Sequence, residues 1–243
     1  KVFPVNTGFI VYNDWTYPNF IRLMEHLNVA SENSNMSFSV RCDRTGLEYN
    51  GTNLNSLFCQ RRNLVNPGFW RMVKDIMRFN REATTAHLNG GLSPATTLQQ
   101  FLDQRGYCNE FVRHYIVPMG AAIWSAPETD MMQFPFEFFV RFFHNHGMLS
   151  VDERPQWRVL QGGSRSYVSV MKQQLRGPVH INRRIQQVER FNNGITLLDQ
   201  NGQLEPFDAV VLACHSDQAL QILTQPSSAE RQYLGAIPYQ DND

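Results

Sequence analysis

From Asn66 to His146 the apolar residues recur at helical spacing, and this block sits between segments that alternate like strands. That arrangement reads as a mixed α+β chain with a helical insertion in its middle. Pro67 opens the block, and Phe69, Trp70, Val73, Ile76, Met77 and Phe79 form a broad apolar stripe behind it. Ser93-Pro94 reads as the cap and first turn of a helix carrying Leu98, Phe101 and Leu102, stopped at Gly106. A helix begins over Phe111 to Tyr115 and is expected to break at Pro118. Phe136 to His146 reads as an apolar helix ended by Gly147, with His144 and His146 near its C-terminus, where positive charge is favoured.

Ahead of the insertion, Lys1 to Val5 reads as part of a strand. Phe20, Leu23, Met24 and Leu27 then fall at helical spacing behind a start at Thr16-Tyr17-Pro18. Met36 to Arg41 alternates at period two, and a turn at Asp43 to Gly46 leads into Leu47 to Tyr49, which predicts a hairpin. After Trp157, the Gly162-Gly163-Ser164 turn leads into a helix with Tyr167, Val168, Met171 and Leu175, stopped at Gly177-Pro178. Val179 to Ile181, Ile185 to Phe191, Ile195 to Leu198, Leu204 to Phe207 and Ala209 to Cys214 read as successive strands, with tight turns at Asn193-Gly194 and Asn201-Gly202. Ser216 is expected to cap a short helix through Leu223, and Ser227 or Ser228 another through Leu234.

Composition narrows the class further. The 243 residues suffice for one or two domains, and 42% hydrophobic with 18% charged residues describes a soluble globular chain. Its 22 basic and 22 acidic residues cancel, so no global field steers nucleic acid or an acidic membrane to the surface, and partners must be inferred from sites. Cys42, Cys59, Cys108 and Cys214 are widely spaced with no C-x-x-C pair, which removes the main support for a zinc site and fits four reduced thiols in a cytoplasmic protein. No apolar run is long enough for a transmembrane helix and no signal peptide precedes the fold. The chain starts at Lys1 rather than Met and reads as beginning inside a domain.

Few residues announce chemistry by themselves. Paired glycines at Gly162-Gly163 before a helix allow a ligand close to the backbone, or form a tight loop capped by Ser164. His144 and His146 stand two apart on a helix, so their rings diverge and fit helix-end histidines better than metal ligands. His215-Ser216-Asp217 cannot form a relay from adjacent positions, and no G-x-S-x-G elbow accompanies it. Pro118 to Ser125 joins small residues to Trp124, compatible with close helix packing or with a pocket for a flat ligand. Trp15, Tyr17, Phe139, Phe142 and Phe143 read as core. The pairs Arg61-Arg62 and Arg183-Arg184 are too short for a nucleic-acid patch and read as solvated faces.

Several blocks in order carry a resemblance. They are Asn6 to Asn13 with Thr16 to Asn19, Met36 to Ser39, Gln60 to Leu64, Phe69 to Met72, Pro118 to Ser125, Arg141 to Gly147, Pro155 to Arg158, Gly162 to Arg165 and Ala213 to Leu220. Together they are similar to predicted FAD-binding, amine-oxidase-like proteins of bacteria. The resemblance implies a Rossmann-like FAD domain and a second domain that covers the flavin ring. The G-x-G-x-x-G turn that would cradle the pyrophosphate is absent, so its expected place is upstream of Lys1, and a further flavin-contacting segment is expected beyond Asp243. Where these proteins have Asp-Thr-Gly, this chain has Asn6-Thr7-Gly8, an amide in place of a carboxylate.

The same resemblance sets expectations for the site. Thr7, Gly8, Phe9, Trp157, Gly162, Gly163 and Ser164 are expected beside the flavin, with Trp124 and Ser125 on the substrate side. No residue is assigned a catalytic role and no metal is expected. Residues 1–60 are expected to start the substrate domain, 61–147 to form the helical insertion, 148–178 to return to the substrate domain and 179–243 to form the β-rich part of the FAD domain. The complete protein is expected to oxidise a small organic substrate by hydride transfer to FAD, while this chain alone is an inactive fragment that lacks the cofactor. The alternatives are a flavin-dependent desaturase or isomerase of a lipid or isoprenoid, and a non-catalytic binding domain.

Overall fold

The computed structural model describes residues 5–6, 9–90, 93–150 and 154–239. The chain divides into two compact units, Lys1–Gln174 and Leu175–Asp243. The strand expected over Lys1 to Val5 lies outside the described residues except for Val5, which is in no regular element.

In the first unit, β1 (Tyr12–Asn13) is followed by α1 (Pro18–His26), β2 (Ser31–Ser34), and the hairpin β3 (Ser39–Cys42) and β4 (Leu47–Asn50). Helix α2 (Leu54–Leu57) and a 3-10 turn at Arg61–Val65 lead into α3 (Pro67–Leu88). Then come α4 (Leu98–Arg105), α5 (Asn109–Phe111), a π-helical turn at Val112–Ile116, α6 (Val117–Trp124), α7 (Glu128–Met132) and α8 (Phe136–Asn145). Strand β5 (Trp157–Leu160) and α9 (Ser164–Gln174) complete the unit.

The central block is helical, as its periodicity predicts, but its details correct three expectations. The buried face of α3 runs through Phe69, Met72, Phe79 and Ala83, while Trp70 and Met77 face outward, so the apolar stripe of the sequence is wider than the face that packs. Helix α4 is capped by Thr97 in a reciprocal box with Gln100, not by Ser93, whose hydroxyl accepts from Ala95 N in the preceding turn. Pro118 does not break its helix. The π turn upstream absorbs the missing donor, and Pro118 sits in the first turn of α6, where its N–H is not needed.

Phe79 anchors the core of this block. It is fully buried, and its ring meets those of Phe101, Tyr107, Phe111, Phe136 and Phe139 at centroid distances of 5.5–6.3 Å. Helices α4 and α8 are stapled at their starts, where Leu98 N donates to Phe134 O and Phe136 N to Thr96 O, both at 2.9 Å. Helix α8 ends before His146, and Gly147 takes φ 65°, as the expected glycine stop requires.

The β3–β4 hairpin pairs Val40 with Tyr49 and matches the sequence reading, although Met36 to Phe38 stay outside the strand. The sheet β1-β5-β2 was not legible: its pairs Asn13↔Trp157 and Ser34↔Trp157 join remote segments, and Ser31–Ser34 has no apolar alternation. A second, smaller core lies on it, formed by Tyr12, Met24, Leu27 and Leu160 with Phe20 and Tyr167 packed alongside.

The second unit contains β6 (Ile185–Phe191), β7 (Gly194–Asp199), β8 (Leu204–Phe207), α10 (Ser216–Ile222) and α11 (Ser228–Gly235), with the strands in the order β6-β7-β8. The first hairpin turn is Asn192-Asn193, one residue earlier than expected, because Phe191 pairs with Gly194. Asp199 closes the second turn by accepting from Asn201 N and Gln203 N, and Arg183 donates to its other oxygen at 2.7 Å. Ser227, not Ser228, caps α11 through a box with Glu230. Ser216 is not a cap: its hydroxyl donates to Leu234 O and its N–H to the Tyr239 hydroxyl.

Two expected strands are absent. Val179 to Ile181 and Ala209 to Cys214 are irregular, and Val211 is 90% exposed. A strand needs a ladder partner, and no described strand of this unit runs beside either segment.

Candidate cofactor site

The site is organised by the link between β5 and α9. Gly163 N donates back to Leu160 O at 3.0 Å, and both glycines take the left-handed conformation, with φ 77° at Gly162 and 74° at Gly163. That conformation folds the chain from strand into helix without a Cβ clash. At Gly163 the space is already used: a Cβ there would stand 2.8 Å from Asn6 Oδ1. The Asn6 amide oxygen accepts from Ser164 N at 3.1 Å, so it satisfies the first free donor of α9 from a remote part of the chain. The Ser164 hydroxyl donates to Phe9 O.

Three of the expected cofactor residues, Phe9, Gly163 and Ser164, thus meet in one place, and they line a cleft of about 490 Å³ with Asn6, Tyr12 and Val159 among its other walls. Gly162 lies in the same turn, with nothing nearer to a Cβ placed on it than Ser166 Cβ at 3.9 Å. Thr7 and Gly8 lie outside the described residues. The role of Asn6 escaped the sequence reading because the helix it caps lies far along the chain; its only local signal was the residue type, one that caps helices well.

Trp157, also expected beside the cofactor, begins β5 and is half-buried. Its ring lies nearly parallel to His146, at 6.2 Å and 18°, and His146 in turn stacks on Phe142 at 4.0 Å and 22°. His146 Nδ1 is 2.9 Å from Phe142 O, which makes it the donor nitrogen and fixes the ring. Trp124, expected on the substrate side, lies 4.9 Å from the Phe142 ring and 4.7 Å from Phe134. A continuous run of rings therefore joins Trp124 to Trp157 through Phe142 and His146. Ser125 ends α6 in the left-handed conformation at φ 50°. At the far end of the run, Gly147 leaves room for Pro155, which a Cβ would meet at 2.5 Å, so the end of α8 is seated against the approach to β5.

The lining of the cleft contains no carboxylate, amine, imidazole or thiol, and Tyr12 is its one ionisable residue among those described. Such walls bind and orient a flat, largely apolar group; they do not supply acid–base catalysis. A second cleft of about 270 Å³ lies between the β3–β4 hairpin and the start of α3. It is more polar, with Arg62, Glu110 and His114, but Glu110 is already engaged by Arg71 at 2.6 Å, and burial lowers the His114 pKa.

The model of the flavin-containing amine oxidoreductases matches residues 3–241. The chain belongs to this family. No curated protein sequence matches it. Among solved structures, it is similar to wild-type putrescine oxidase bound to putrescine, with 16% identity, a TM-score of 0.60, and coverage of 92% of this chain and 51% of that one. It is also similar to a CLA-producing fatty acid isomerase from P. acnes, with 12% identity, a TM-score of 0.54, and coverage of 95% and 52%. At these identities the likeness is one of fold, and the chain spans about half the length of the structures it matches. No helix among the described residues is long and apolar enough to cross a membrane.

Proposed function

We propose that this chain serves an FAD-dependent oxidoreductase that oxidises a small organic molecule, with the turn at Gly162-Gly163-Ser164 beside the flavin. The observation that carries the reading is the meeting of Phe9, Gly163 and Ser164 around one cleft in a member of the flavin-containing amine oxidoreductases. The residues fit a flavin ring: Gly162 keeps the backbone clear of side chains, and the walls are apolar with backbone polar groups among them. Phe9, Trp157, Gly162, Gly163 and Ser164 would hold the ring, joined by Thr7 and Gly8. When bound, the flavin supplies the capacity to accept a hydride. The chain orients the ring edge through the turn that Asn6 fixes, and excludes water with Phe9 and Val159. Trp124 and Ser125 would face the substrate, with no protein base required.

In this reading residues 1–60 and 148–178 belong to the substrate domain, 61–147 are its helical insertion and 179–243 belong to the FAD domain. The separation of the chain at Gln174 and Leu175 supports the last boundary. A lipid desaturase or isomerase is the second reading, supported by the fatty acid isomerase among the structures of similar fold.

The test uses the full-length protein. Purified wild type is expected to show visible flavin absorption, and Gly163→Val to lose it while keeping its far-ultraviolet circular dichroism. A colourless wild type that takes up no added FAD would overturn the proposal. Anaerobic bleaching by diamines favours amine oxidation; bleaching or product formation with fatty acids alone favours the second reading.

A further inference from the structure

The outward face of α3 carries a pattern that the core does not explain. Trp70, Lys74, Met77, Arg81 and Leu88 follow one another at i, i+4, i+7, i+11 and i+18, which keeps them on one side of the helix. All five are exposed, and the helix spans about 33 Å. The acidic residues of α3 point elsewhere. Asp75 is buried and accepts from Cys108 N, and Glu82 accepts from the Tyr107 hydroxyl.

The stripe broadens at the start of the helix. Trp70 Nε1 donates to Leu64 O at 2.9 Å, and its ring lies 5.2 Å from that of Phe58. These contacts bring Trp70 beside the 3-10 turn, where Val65 is 84% exposed, and α2, where Leu54 is 75% exposed. Arg61 ties the turn to α2 through Asn55 Oδ1. Between Gly51 and Lys74 there is no acidic residue. Arg61, Arg62, Lys74 and Arg81 make no salt bridge with any described residue.

We propose that this face docks on an anionic lipid surface, with Leu54, Val65, Trp70 and Met77 entering the headgroup boundary and Arg61, Arg62, Lys74 and Arg81 meeting phosphates. Charge complementarity selects the occupant: unpaired cations interleaved with exposed apolar side chains and one tryptophan match an interface that is negative outside and apolar beneath. The neutrality of the whole chain does not oppose this, because the acids lie outside this face and fields are screened within about 10 Å. The contact is peripheral: the opposite face of α3 is committed to the core through Phe69, Met72 and Phe79.

The test is co-sedimentation of the full chain with phosphatidylcholine vesicles that contain or lack phosphatidylglycerol. Binding is expected with the anionic vesicles at low salt and loss of binding at high salt. The double variant Lys74→Glu, Arg81→Glu is expected to bind at least about thirtyfold more weakly, at roughly fivefold for each basic residue removed. The variant Val65→Ser, Trp70→Ser is expected to lose affinity while the remaining binding stays salt-sensitive. Circular dichroism melts check that both variants stay folded. Equal binding to both vesicle types, wild-type affinity in the charge variant, or a wild-type dimer in sedimentation velocity that the same substitutions dissolve would overturn the proposal.

Discussion

Asn6 and Ser164 are 158 residues apart in the chain, yet the amide oxygen of one accepts the helix-opening N–H of the other at 3.1 Å. This bond closes the glycine turn and sets the wall of the candidate site. Gly163→Ala is expected to cost about 1–2 kcal/mol from the left-handed backbone alone, with a further cost from the Asn6 contact. In an Asn6→Ala background that second cost vanishes, so thermal melts of the two single variants and the double should be non-additive. Additive costs would show that the contact carries no energy.

Asn6→Asp is expected to stabilise the chain by about 0.3–1 kcal/mol, because a carboxylate at the N-terminus of α9 meets its unpaired N–H groups and dipole. The gain should shrink in high salt, which denaturant titrations at two ionic strengths would read.

How much of this was legible in sequence depends on the range of the interaction. Gly162-Gly163 predicted a turn into a helix, and Gly106 and Gly147 predicted helix stops, because left-handed backbone is a local demand. Thr97 was passed over for Ser93 because both residues cap well; Thr97 has Gln100 three residues on, and that spacing was the missed signal. The run Ala209 to Cys214 reads as a buried strand on its apolar residues, but a strand also depends on partners that no local pattern reveals. The pairing of β5 with both β1 and β2 is of the same kind. In the site, Phe9, Gly163 and Ser164 were placed by resemblance, whereas the cap from Asn6 and the stacking of His146 on Trp157 exist only in three dimensions.

Phe79→Ala is expected to destabilise the first unit by about 3–5 kcal/mol, since it removes a fully buried ring from the centre of five others. Chemical denaturation should show the loss as a lower midpoint with an unchanged slope.

Acid should weaken the second unit through Glu230. Hydrogen bonds from Arg190, then from Ser227, hold its pKa at about 2, below the ordinary value of 4.5. A depressed folded pKa means that the stabilisation is complete above the unfolded value and is lost as pH falls from there towards 2. Melts across that window should decline for wild type and flatten in Glu230→Gln, and an unchanged pH profile in the variant would refute the assignment.

The thiols should separate by reactivity. Burial pushes Cys108 up to about 11, while hydrogen bonds from Thr45 lower Cys42. Near neutral pH, alkylation read by peptide mass spectrometry should label Cys42 at least about tenfold faster than Cys108.

The π turn at Val112–Ile116 does more than admit a proline. It is an inserted residue in an otherwise continuous rod, and so it fixes the rotational phase of everything after it. Deleting one residue there would wind the rod back to regular pitch and turn α6 by about 100°. Trp124 would then leave its ring of phenylalanines, and the aromatic run towards Trp157 would be cut at its first link. The length of this short stretch is therefore a gear setting, less tolerant of a lost residue than of a changed one.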